Sequence, residues 1–252
     1  DATFASLLTL KEQLVAALDV YSDVLRNPSF PENEWNRVKK THLTGLMQQK
    51  DQPVVVANNV FAGLVYGSNH PYGRPTEGTD VSVNAIALDD LKSFYRANYL
   101  PNTATLIVVG DVTLKEVIPM VEKYFGDWKS GTVVAPTFSA VPRIDSTRLY
   151  LIDKPQAAQS EIRIGHVGVA RTTEDYFPLQ VMNAILGGQF TSRINLNLRE
   201  SKGYTYGARS GFAMRKEAGP FLAQAGVKSA VTDSSVMEFM KELRGISDAD
   251  VT

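Results

Sequence analysis

The sequence predicts an α+β protein whose two complementary halves can be read as copies of one unit. Three observations predict it. Residues 7–99 carry helical periodicity in four successive segments, followed by one strand and one helix. The second half reads strand, strand, helix, helix, strand, strand, helix. Between the halves, residues 131–142 lack helical periodicity and carry Pro136 and Pro142, the composition of a linker. The predicted boundaries are 1–130 for the first domain, 131–146 for the linker and 147–252 for the second. If both halves copy one unit, the second lacks its end and the first lacks its N-terminal strands. Helix 7–26 then corresponds to helix 233–244.

The elements follow in order. Leu7, Leu10, Leu14, Leu18, Tyr21 and Leu25 keep helical spacing up to Asn27-Pro28. A second helix starts near Pro31, with Glu32 and Glu34 in its first turn, where the helix dipole favours acids. Its stripe is Trp35, Val38, His42 and Leu46. A third follows Pro53 with Val56, Val60, Phe61 and Leu64 inward. Residues 69–78 form a Gly/Pro loop around His70-Pro71-Tyr72-Gly73-Arg74. Leu88, Leu91, Phe94, Tyr95 and Tyr99 make a fourth helix. The nearly all-apolar run 103–112 reads as a central strand. Thr113 with Glu116 is a capping box opening a helix to Phe125, with Pro119 predicting a kink or irregular first turn.

In the second half, 148–153 and 160–169 read as strands, and Thr172 with Asp175 opens a helix through Leu179, Met182 and Leu186. Residues 204–214 and 220–228 read as a hairpin. Residues 233–244 form an amphipathic helix, and 247–252 open another.

Composition narrows the function classes. The 252 residues are 44% hydrophobic, with 26 Lys and Arg against 27 Asp and Glu. A net charge of −1 argues against nucleic acid or an anionic membrane as an obligate partner. No cysteine is present, so disulfides and thiolate metal sites are excluded. No apolar run is long enough to span a membrane. No secretory signal is visible, and a start at Asp1 directly before a helical pattern suggests a processed or trimmed chain.

The chemistry-bearing stretch is residues 186–208. Gly187 and Gly188 can stop one helix, and Thr191 or Ser192 can cap the next. Ile194 and Leu198 give that helix a buried face. Gly203 ends it, and Tyr204-Thr205-Tyr206 has strand alternation, which puts both phenols on one face. Arg199 and Tyr206 therefore flank a glycine turn. Taken alone, Arg199 reads as a helix-end ion pair and Tyr206 as strand packing. Gly187-Gly188 is no phosphate loop, because no strand precedes it and no lysine follows.

These residues resemble a family. Leu186-Gly187-Gly188, Arg193, Asn195, Leu198-Arg199-Glu200, Gly203-Tyr204 and Tyr206 are similar to the second-domain signature of the insulinase/pitrilysin zinc metallopeptidases, which include the mitochondrial processing peptidases. Asn27-Pro28-x-Phe30, His70-Pro71-Tyr72-Gly73, 108–112, 124–128 and Gln159 match in family order. The likeness is to the short two-domain bacterial members, many of them exported, which leans the compartment toward the periplasm. The resemblance implies two homologous α+β domains per unit, each an antiparallel-rich sheet with helices packed on one face, and two such units closing a chamber, with zinc on one unit's His-x-x-Glu-His helix plus a later Glu. It implies that Arg199 and Tyr206 face that zinc site and hold the substrate backbone, with Gly203 and Tyr204 beside them.

Only His42, His70 and His166 are present, with no pair four apart. His42 reads as a core or interface residue, His70 as a turn residue and His166 as structural. The family's later Glu would fall near Thr44 or Gly45, neither a carboxylate. The expectation is that this chain binds no zinc and that zinc sits in a paralogous partner. The leading reading is a non-catalytic subunit of a heterodimeric zinc endopeptidase, binding extended peptide and lending Arg199 and Tyr206 to that partner. A trimmed fragment of an active zinc metalloendopeptidase and a non-proteolytic scaffold of the same family stay open.

Overall fold

The structure, a computed structural model, describes residues 3–135, 137–141 and 144–248. Its helices are α1 (Leu14–Arg26), α2 (Glu32–Gln49), α3 (Pro53–Tyr66), α4 (Asp80–Ala85), α5 (Leu88–Asn98), α6 (Leu114–Phe125), α7 (Tyr176–Asn183), the single turn α8 (Arg193–Asn195) and α9 (Thr232–Asp248). Its strands are β1 (Gln159–Val167), β2 (Thr205–Phe212) and β3 (Pro220–Lys228). Helices and a small antiparallel sheet make the fold α+β. The chain divides into two compact units. One is Asp1–Leu43 with Asp80–Thr137, the other Thr44–Thr79 with Phe138–Thr252.

The first unit is helical, with a thin core in which Val83 and Tyr124 are its buried hydrophobics among the described residues. Side-chain to backbone bonds join its helices. Arg26 Nη1 donates to the Tyr124 carbonyl at 2.6 Å, Tyr124 Oη to Val15 at 3.1 Å and Tyr95 Oη to Leu25 at 2.6 Å. The Thr113 amide and hydroxyl both donate to the Glu116 carboxylate, so α6 begins at the predicted box. It runs unbroken through Pro119. Asn102 and Gly131 exchange two hydrogen bonds, which ties residue 131 back to this unit.

The predicted central strand at 103–112 is not a strand. No strand among the described residues lies beside it, and Ile107 and Val109 are 79% and 92% exposed. The predicted strand at 148–153 is likewise unpaired, with Leu149 and Leu151 open. An extended apolar run becomes a strand only when a neighbour takes its backbone bonds.

The second unit holds the sheet, in the order β1-β3-β2, with both pairs antiparallel. Central β3 alternates strictly, burying Phe221, Ala223, Ala225 and Val227. These meet Ile162, Leu186, Ile194, Leu198, Ala208 and Phe239 in one core. On the opposite face of β1, α3 lies against Arg163 and Gly165. Arg163 Nε donates to Asn58 at 2.8 Å, and a Cβ at Gly165 would stand 2.9 Å from the Phe61 ring. The α9 helix continues to Asp248, so no new helix opens at Ser247; residues 249–252 lie outside those described.

The hairpin turn between β2 and β3 is anchored to residues 66–74. Tyr66 Oη donates to the Ala218 carbonyl at 2.9 Å, and the Glu217 amide donates to Tyr72 Oη at 3.2 Å. The Arg215 guanidinium lies 4.7 Å over the Tyr72 ring. Tyr66 stacks on His70 at 5.1 Å, and both are buried.

Candidate functional site

The stretch from Leu186 to Ala208 starts with two interrupted helices. The helix that opens with α7 ends in a π turn, Ala184–Gly188, at the predicted glycines. The predicted regular helix from 191 to 203 is instead α8 followed by a second π turn, Leu196–Ser201. Its wider winding shows in the Lys202 amide, which bonds Asn197 five residues back at 3.0 Å. Ser192 occupies the N-cap position, but its buried Oγ has no hydrogen-bond partner among the described residues. Asn195, the last residue of α8, ties the helix back to the chain before it, donating from Nδ2 to the Phe190 carbonyl at 2.7 Å. Ile194 and Leu198 are fully buried, as their spacing predicts.

Charged groups hold this segment against α9. Arg193 Nε meets Glu242 at 2.9 Å, and Asn197 Nδ2 donates to both Glu238 and Glu242, at 2.9 and 2.7 Å. Lys202 reaches Glu238 at 3.2 Å. The Asn197 and Lys202 hydrogen bonds to its ionised form hold the Glu238 carboxyl below its ordinary range. A shallow cavity of about 440 Å³ lies among Arg193, Asn197, Lys202, Lys241 and Glu242.

The glycine turn closes as predicted. Gly203 has φ 63°, the left-handed value that glycine adopts most easily. Its amide bonds the Arg199 carbonyl at 3.1 Å, and the Tyr204 amide bonds Leu198 at 2.9 Å. From β3, Lys228 donates its Nζ to Gly203 and its amide to Tyr204. The backbone of Arg199 is thereby joined to the start of the strand.

The two predicted side chains sit in different settings. Arg199 Nε meets Glu200 Oε1 at 3.2 Å, and its guanidinium carbon lies 4.5 Å over the Phe190 ring. Its side chain is 38% exposed. Tyr206 is 88% exposed, and the reason is a bulge. Thr205 pairs with Val227 and Ala208 with Ala225, so Tyr206 and Gly207 together oppose Gly226. In an unbulged strand Tyr206 would share the buried face of Ala208 and Ser210. Thr205 Oγ1 secures the bulge, accepting the Gly207 amide at 3.1 Å and donating to the Gly226 carbonyl at 2.7 Å.

The expectation that Tyr204 and Tyr206 share one strand face is corrected. Tyr204 precedes β2 and is half-buried, whereas Tyr206 stands in the bulge, open to solvent. Sequence reasoning also missed Phe190 as the ring under Arg199, and Glu238 and Glu242 as the anchors of its turn. Gly207 inside a strand pattern was the one available signal for the bulge.

Among the described residues no group of three or more His, Asp or Glu is placed to hold a metal ion. The histidines have other roles. His70 Nδ1 accepts the Tyr72 amide at 3.0 Å inside the aromatic cluster, and the His166 ring lies tilted against Phe221, 5.6 Å between centroids. His42 is exposed on α2 rather than in a core. Thr44 and Gly45 supply no carboxylate. These residues do not fit a zinc ion. No described helix is long and apolar enough to cross a membrane.

Comparison with known proteins gives a consistent result. The family profile described as Peptidase M16 inactive domain matches residues 85–252. A Streptomyces coelicolor protein named as an uncharacterized zinc protease is 28% identical over 253 residues, covering 96% of this chain and 54% of its own length. The mitochondrial-processing peptidase subunit beta of Lentinula edodes is 28% identical over 192 residues, covering 71% of this chain and 39% of that protein. A Pseudomonas fluorescens crystal structure described as a peptidase M16 inactive domain superposes with TM-score 0.87 at 24% identity, covering 96% of this chain and 58% of that one. The chain spans about half the length of the curated relatives it matches.

Proposed function

The chain belongs to the peptidase M16 family, and on that premise we propose that it is the non-catalytic, Arg/Tyr-bearing part of a two-subunit zinc endopeptidase. It binds extended peptide and presents Arg199 and Tyr206 to a zinc-bearing paralogous subunit. One observation carries the reading: an exposed phenol is held out of a sheet by a hydrogen-bonded bulge, directly after a turn that carries a restrained, partly open arginine. Buried scaffolding under exposed polar groups is how recognition sites are built.

The chemistry that follows is donation. The Arg199 guanidinium donates to a peptide carbonyl and fixes the register of the chain. The Tyr206 hydroxyl donates to the carbonyl oxygen as it gains charge on nucleophilic attack. Gly203 and Tyr204 line the turn between them. The metal belongs to the partner, and no residue of this chain takes part in a step through it. The match to the inactive-domain profile and to a relative named as a peptidase subunit support this division of labour.

The test mixes the full-length protein with a zinc-bearing paralogue and an end-capped fluorogenic peptide. Turnover is expected only in the mixture, and Arg199→Ala and Tyr206→Phe each reduce it. Unchanged turnover in both variants ends the proposal. A second reading draws on the relatives named as zinc proteases and about twice as long as this chain. In it the same two residues serve a zinc site elsewhere in one polypeptide. Stoichiometric zinc in the full-length protein, with turnover in the absence of a paralogue, would favour it.

A further inference from the structure

We propose that Phe190 is a positioning residue for Arg199, and that Phe190, Arg199 and Glu200 together select a neutral backbone carbonyl of an internal peptide segment over a carboxylate. This rests on the reading of Arg199 as a contact to a peptide carbonyl and adds what positions the guanidinium and which acceptor the site disfavours.

Three facts lead there. The guanidinium plane is supported from one side by the Phe190 ring, 4.5 Å from the guanidinium carbon. Its Nε edge is occupied by Glu200 at 3.2 Å. Its terminal nitrogens have no acceptor among the described residues, although the side chain is only 38% exposed. The fork is thus held at one edge and open at the other. A side chain already fixed gives up less freedom when it binds, so the stack favours association.

The acceptor class follows from charge. Arg199 and Glu200 sum to zero, and Glu200 is half exposed beside the open edge. An incoming carboxylate gains attraction from one and repulsion from the other. A peptide carbonyl needs only the donors and carries no charge for Glu200 to repel. Phe190 is itself 60% exposed, so its upper rim is open to an apolar side chain next to that carbonyl. The Phe190 backbone is not free to drift, because Asn195 Nδ2 donates to its carbonyl at 2.7 Å.

The experiment measures binding of a fluorescein-labelled, acetylated and amidated alanine-based peptide with one central Phe to the full-length protein, beside the same peptide ending in a free carboxylate. Arg199→Ala is expected to weaken the capped peptide about tenfold, the scale of a hydrogen bond to a charged group. Phe190→Leu keeps apolar bulk without a π face and should weaken it about threefold, while Phe190→Trp restores it. Thermal midpoints should stay unchanged, since Phe190 is exposed. Glu200→Gln should erase the preference for the capped peptide.

If Arg199→Ala binds like the wild type, the proposed function falls and this inference with it. If Arg199→Ala weakens binding but Phe190→Leu does not, only the positioning role fails. Equal losses in Phe190→Leu and Phe190→Trp also overturn that role. A wild type that prefers the free carboxylate overturns the acceptor class.

Discussion

The side chain of Asn195 holds Ala208 in place across the strand bulge. Its Oδ1 accepts the Ala208 amide at 3.1 Å, while its Nδ2 donates to the Phe190 carbonyl at 2.7 Å. One buried amide therefore links the ring beneath Arg199 to the strand position that follows Tyr206 and Gly207. Asn195→Ala leaves one donor and one acceptor without partners, and should cost about 2 kcal/mol of stability. Chemical denaturation of the full-length protein measures it. A loss under about 0.5 kcal/mol would show that the bridge carries little weight.

The bulge should decide where the phenol points. Losing the bulge in a chain of unchanged length pairs Tyr206 with Val227 and turns it toward the buried face of Ala208 and Ser210. Thr205→Val removes two bulge hydrogen bonds without changing side-chain bulk. Tetranitromethane should therefore nitrate Tyr206 readily in the wild type and more slowly in Thr205→Val, as read by mass spectrometry. Equal nitration rates would contradict the account.

Tyr206→Phe should separate function from stability. The hydroxyl of an 88% exposed residue supports no packing, so the unfolding midpoint should not move. Turnover in the paralogue mixture should fall about a hundredfold, the usual cost of one oxyanion donor. A variant that keeps full turnover would remove Tyr206 from the mechanism.

Acid should loosen the turn that carries Arg199. Hydrogen bonds from Asn197 and then Lys202 hold the Glu238 carboxyl below its ordinary 4.5. A group with a lowered folded pKa stabilises above its unfolded value and loses that contribution as pH falls through the folded one. Urea midpoints measured from pH 7 down to pH 3 should therefore decline less steeply in Glu238→Gln. Identical pH profiles would exclude this coupling.

At the other end of the hairpin the sign is reversed. Burial pushes the Tyr66 phenol up to about 12, partly opposed by Arg215. Its contribution is full below about pH 10 and is lost as pH rises toward 12. Tyr66→Phe should cost about 1 kcal/mol at neutral pH, through the lost bond to Ala218, and should flatten the alkaline decline. An unchanged alkaline slope would place the responsible group elsewhere.

The sequence by itself determined what depends on local chemistry and periodicity. Ile194 and Leu198 are buried because their spacing gives one apolar face, and Gly203 is left-handed because a turn there needs that φ. The alternation along 220–228 set which side chains of β3 enter the core. Runs 103–112 and 148–153 were misread because strand composition says nothing about whether a neighbouring strand is present. Tertiary structure alone decided the surroundings of the two candidate residues. Tyr206 is open because two residues oppose one across the sheet, and Arg199 is restrained because a ring nine residues earlier lies beneath it. Both depend on register and on contacts made only after the chain has folded back on itself, which residue order does not record.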